Sequence, residues 1–168
     1  TIGHTTSETT VADNLTVTGD FAAGNFKFGG ANFTNSMLVG HSTTGTLNDS
    51  INNIGVGGGA LENLTSGDSN VAIGYNSLPD LTTGAYNVSC GSLAGYNLVD
   101  GSRNVSIGYS ANRVVVSGNR NVAMGMNAGT AITGSRNIVL GNDAGDNITS
   151  GDGNVIIGEV DAASATGD

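Results

Sequence analysis

The sequence predicts an all-β fold, a parallel β-solenoid of the β-roll type with about eight 17-residue coils. Three observations carry this. From Gly40 onward a glycine recurs every 17 residues, apart from one 16-residue step between Gly125 and Gly141. Each later glycine closes a block that opens on asparagine: Asn53–Gly57, Asn70–Gly74, Asn87–Gly91, Asn104–Gly108, Asn121–Gly125, Asn137–Gly141 and Asn154–Gly158. Inside each block two apolar residues flank a middle residue that is small in the earlier copies. A short fixed period built on strand-forming residues means one coil of a stacked β-structure per repeat.

The chain divides into a leader (1–35), the repeat array (36–158) and a polar tail (159–168). All four phenylalanines, Phe21, Phe26, Phe28 and Phe33, lie in the leader. Asn14–Asp20 and Gly24–Gly29 alternate apolar and polar residues between glycine breaks, a pattern of very short strands. They are expected either to cap the exposed edge of the first coil or to form an intertwined stalk. Ser36-Met-Leu-Val-Gly40 then opens the array as an imperfect copy of the later blocks. The tail holds no bulky side chain to cover a last coil, which predicts that the natural polypeptide continues.

Positions within the repeat are numbered from its asparagine. Positions 2 and 4 are apolar and position 3 is small from Gly55 to Ala123, so the alternation predicts a short strand with 2 and 4 facing inward. Cys90 occupies position 4 and reads as a small buried hydrophobe; a nucleophilic role would want a basic partner, and neither His4 nor His41 lies near its repeat. The invariant glycine at position 5 predicts a corner with positive φ or close backbone approach. A second inward column is expected at position 12 (Leu64, Leu81, Leu98, Val115, Ile132, Ile148), with a small third one at position 8 (Ala60 to Ala144). Each coil thus reads as two short strands and two glycine corners, stacked about 4.8 Å apart in parallel register. The asparagines are expected to form a hydrogen-bonded ladder rather than a binding site.

Charge and composition exclude several function classes. The net charge is −9 with five basic residues, which gives a phosphate backbone little to hold, so no nucleic-acid partner is expected. No stretch approaches a membrane-spanning length, so no membrane insertion is expected. No carboxylate pair recurs beside His, Lys or Ser in a catalytic arrangement, and a calcium-binding nonapeptide repeat is absent. The expectation is a chain that is not an enzyme, with no catalytic, cofactor-binding or metal-binding residues.

Three outer columns remain. Small side chains at position 3 are expected to leave a smooth face for another chain, a face that turns apolar at Val139 and Ile156. Arg103, Arg120 and Arg136 recur just before the asparagine, either as a solvated row or paired with Asp100, Asp152 or a neighbouring subunit. Tyr75, Tyr109 and Met126 share position 6, where they would either stack on sugars or pack against an adjacent coil or subunit. Few side chains are buried per coil, so further burial is expected from other copies in an intertwined or side-by-side homotrimer.

The grammar Asn-Val-x-Ile-Gly-Tyr-Asn, then Leu/Ile-Thr-x-Gly, seen in Asn70–Thr83, Asn104–Ser110 and Asn137–Gly151, resembles the repeats of bacteriophage tail-fibre and other virion appendage proteins. It is also similar to the β-roll heads of bacterial trimeric autotransporter adhesins, which favour a shorter repeat. The resemblance implies a homotrimer in a virion fibre, or alternatively on a bacterial cell surface. There it would act as a rigid spacer beside other fibre or tail proteins, with host attachment to a surface glycan or protein receptor as an associated role. An ice-binding β-solenoid is the alternative from another class, suggested by Thr65, Thr82, Thr133 and Thr149 at position 13.

Overall fold

The computed structural model describes residues 26–28, 35–40, 49–146 and 149–158; the proposed strands at 14–20, Phe21, Phe33, Ile148 and the tail lie outside them. The described residues form a single nine-stranded sheet whose spatial order is the chain order. Strand β1 (Phe26–Phe28) pairs antiparallel with β2 (Met37–Val39). From β2 every strand is parallel to its neighbour: β3 (Ile54–Val56), β4 (Val71–Ile73), β5 (Val88–Cys90), β6 (Val105–Ile107), β7 (Val122–Met124), β8 (Ile138–Leu140) and β9 (Val155–Ile157). Like positions pair throughout, as in Val88↔Val105, Ser89↔Ser106 and Cys90↔Ile107. The result is a parallel β-solenoid of about seven turns between β2 and β9.

The facing of these strands is the reverse of the expectation. Position 3 points inward: Leu38, Ala72, Ser89, Ser106, Ala123 and Val139 are buried, while positions 2 and 4 lie on the outside. The asparagine explains why. Its side chain is buried at position 1, and side chains alternate along a strand, so position 3 shares its side and positions 2 and 4 take the other. The smallness of position 3 is therefore an interior constraint. The apolar Val139 belongs to the core, and Ile156 is partly buried against it.

Position 3 is also matched in size to position 9 across the thin interior. Gly55 and Ala72 accompany the buried Leu61 and Leu78, whereas Val139 accompanies Gly145. In the coil between these extremes, Ser106 accepts a hydrogen bond from Asn112 Nδ2 at 3.0 Å. Position 12 is inward as expected, with Leu64, Leu81, Leu98, Val115 and Ile132 all at most 1% exposed. Position 8 is inward as well, from Ala60 to Ala144.

The second strand expected around position 12 does not form; each coil has one strand and otherwise turns. Left-handed residues break up any longer extended run. Position 7 (Asn76, Leu93, Ser110, Asn127, Asp143), position 9 (Leu61, Leu78, Gly95, Asn112, Gly129) and position 17 (Ser69, Tyr86, Arg103, Arg120, Arg136) all have φ between 48° and 67°. Their amides nonetheless stay aligned along the stack. Leu93 donates to Tyr75 O at 2.9 Å, Gly95 to Ala111 O at 2.9 Å and Arg103 to Ala85 O at 2.9 Å. A left-handed residue at each corner turns the chain while keeping its N–H pointed at the adjacent coil, so backbone groups outside the sheet are also paired.

Glycine is required at the two corners for different reasons. At position 5, Gly91 has φ of 141° and an added Cβ would lie 2.4 Å from Gly108 O. At position 15, Gly101 has no positive φ, but a Cβ would meet Gly118 O at 2.4 Å and Leu98 Cδ1 at 2.5 Å. Gly101→Ala should therefore destabilise the chain by about 2–3 kcal/mol through overpacking alone. Leu93→Asn, which places a residue tolerant of the left-handed region at φ 61°, should stabilise it by up to about 1 kcal/mol. Urea unfolding midpoints of the two variants against the parent check both signs.

Candidate interaction surface

The most organised polar feature is interior. Each asparagine Oδ1 accepts the backbone N–H of the next asparagine, at 2.9 Å from Asn70→Asn53 through Asn154→Asn137. In most steps the next Nδ2 donates to the same oxygen, for example Asn87 Nδ2 to Asn70 Oδ1 at 3.0 Å. The other Nδ2 hydrogen crosses its own coil to the position-15 carbonyl, as in Asn87 to Gly101 O at 2.9 Å. Ser36 takes the asparagine's place in the imperfect first block, its Oγ accepting Asn53 N–H at 2.8 Å. Asn70, Asn87 and Asn104 are at most 2% exposed and their side-chain groups are satisfied, which leaves a ligand nothing to bind.

Outside lies the surface that sequence reasoning missed. Strands β2–β9 each place two side chains outward, and all sixteen are aliphatic or sulfur-bearing: Ile54 and Val56 on β3, Val88 and Cys90 on β5, Val122 and Met124 on β7, and so on. Ile54, Ile73, Val88, Met124 and Ile138 are 38–42% exposed. Eight parallel strands at sheet spacing extend this face about 34 Å along the stack. A contiguous apolar face of this length with no charged residue in it is the signature of an interaction surface. Cys90 belongs to it: the thiol is free and exposed, not buried as its column had suggested.

The face is bordered by the two corner columns. On the side where strands begin stand Tyr86, Arg103, Arg120 and Arg136, all exposed. Arg136 Nη2 pairs with Asp152 Oδ2 at 2.9 Å, and the Arg103 guanidinium lies 5.5 Å from the Tyr86 ring centroid. Asp152 is thus one of the carboxylates the row needs, whereas Asp100 pairs with none of its arginines among the described residues. On the side where strands end, Tyr75, Tyr109 and Met126 are exposed. Three of the four position-13 threonines are committed to the stack, with Thr65 and Thr82 Oγ1 donating to Thr82 O at 2.9 Å and Val99 O at 3.0 Å, and Thr133 Oγ1 donating to Thr149 O. That use of their donors weakens the case for an ordered-water template.

Among the described residues no group of three His, Cys, Asp or Glu is placed to hold a metal ion, and no helix is long and apolar enough to cross a membrane. The inward facing had one readable signal, the shared parity of the asparagine and the small position 3.

Removing one rung isolates the ladder's contribution. Asn87→Ala deletes the acceptor for Asn104 N and Nδ2 and the donors to Asn70 Oδ1 and Gly101 O, so a loss of at least about 3 kcal/mol is expected. Asn87→Asp should do no better at neutral pH, because a carboxylate has no donor and would face two buried carbonyl oxygens. Denaturant unfolding of both variants measures this. Comparison with family models, curated proteins and solved structures yields no match, so the architecture and its outer face stand on this chain's own residues.

Proposed function

We propose that this chain is a structural segment of a homotrimeric fibre of the phage tail-fibre or bacterial surface-appendage kind, working as a stiff spacer. The observation that carries the reading is the outward apolar face. A solenoid whose interior admits glycine, alanine, serine and only one or two large aliphatics per coil has modest apolar burial of its own, and two further aliphatic or sulfur-bearing side chains per coil lie outside on the flat sheet. Covering that face with copies of itself supplies the missing core. Three copies fit a narrow face better than two. Each face carries two residues per coil, so three converge on a common axis into one apolar centre, whereas two flat sheets would leave their edges open.

The work of such a segment is mechanical. Its length is set by coil number, and its stiffness by hydrogen bonds that run along the axis in the sheet, the corners and the asparagine ladder. The expected native mass is three times the 16.6 kDa chain, measured by light scattering coupled to size exclusion. The Cys90 thiol reports which face is used. It is exposed on the single chain, so it should react slowly with a thiol reagent in the native assembly and rapidly once unfolded. A single-chain mass with a freely reactive Cys90 would sink the proposal. A three-chain mass with a freely reactive Cys90 would move the interface to another face.

A further inference from the structure

The geometry points to a fixed inter-chain register in which the arginine column of one copy lies against the Tyr109–Asp143 column of the next. This rests on the trimeric reading above. Three solenoids around an axis parallel to their own must meet head to tail around the ring. The strand-start edge of each sheet then adjoins the strand-end edge of its neighbour, and a pure rotation leaves residues of the same coil at the same height. Arg103 and Tyr109 flank one strand, Arg120 and Met126 the next, and Arg136 and Asn142-Asp143 the one after. Across the ring Arg103 therefore faces the partner's Tyr109, Arg120 the partner's Met126, and Arg136 the partner's Asp143.

The chemistry of the two edges matches at each level. All four arginines of an acidic chain fall within residues 103–136, and three of them stack at coil spacing, where like charges repel. The single chain answers this only in part: Arg136 has Asp152, Arg103 has Tyr86, and Arg120 has no side-chain partner among the described residues. The opposite edge offers an exposed ring at Tyr109, a thioether at Met126 and an exposed carboxylate at Asp143. A guanidinium stacks on the first, lays its stem along the second and pairs with the third. The left-handed backbone at position 17 supports this, since it sets all three arginines at one corner of the coil.

Cross-linking tests the register directly. In a Cys90→Ser background, Arg120→Cys combined with Met126→Cys should yield covalent three-chain rings with a bis-maleimide of about 10 Å reach, while either cysteine alone yields none. A cross-link formed between the two sites of one chain leaves the single-chain band in place and does not count as a ring. A three-chain native mass without covalent rings would overturn the register and leave the fibre reading standing. A single-chain mass would end both.

Discussion

The buried asparagine ladder is the constraint on which the rest of this structure depends. One side chain per coil links three points: the next asparagine's backbone amide, its own coil's position-15 carbonyl and the preceding asparagine's Oδ1. Meeting all three requires the amide to sit inside a coil narrow enough for it to reach across. That narrowness fixes the glycine at position 15, whose absent Cβ admits the next coil's carbonyl, and limits position 3 to what Leu61, Leu78 or their smaller counterparts leave free. The same inward asparagine sets the parity of the strand that follows. From one amide follow the thin core, the small residues within it and the aliphatics outside.

The coil's second requirement is to turn without losing backbone pairing. A regular strand can do this only in a sheet, and three-residue strands cover a minor part of each repeat. Left-handed corners at positions 7, 9 and 17 extend the pairing into the turns, at the cost of placing Leu, Tyr and Arg where glycine or asparagine would be more comfortable. The one 16-residue step shows which parts are indispensable. Asn121 still reaches Gly134 O at 2.9 Å and Asn137 still bonds Asn121 Oδ1, so the missing residue falls at position 14, between Thr133 and Gly134. The ladder and both corners survive; a turn residue with no partner in the ladder is what could be dropped.

Much of this was legible because the repeat displays each constraint several times. The period gave the parallel register, the invariant Gly91-type glycine its corner, and the Leu81 and Ala94 columns their burial. The facing of the strands was not legible from the apolar pattern. Val-Ser-Cys at 88–90 reads as apolar-small-apolar whether the apolar pair points in or out, and hydrophobicity favours inward. Only the parity of Asn87, buried for hydrogen bonding rather than for hydrophobicity, decides it. Cys90 and the supposed smooth outer face of position 3 were misplaced by that same step, whereas the supposed second strand is broken up by left-handed residues that no apolar pattern displays. The Arg136–Asp152 pair was within reach, because it follows from two charges one coil apart.

A soluble single domain keeps its large aliphatics inside because nothing else will cover them. Here the interior keeps one or two large aliphatics per coil beside the ladder, and the strands place two more side chains of the same apolar character on their outer side. Chance exposure would scatter polar substitutions among sixteen sites, since a solvated sheet face readily takes Thr, Lys or Glu. None occurs, while the neighbouring turns carry Asp80, Asp100, Arg113 and Asp146 freely. From coil to coil, residue type varies where the coil meets water and stays apolar on the outer sheet. In the proposed trimer the outer sheet is a second core, divided among copies of the chain, and the corner columns beside it are the places where those copies set their register.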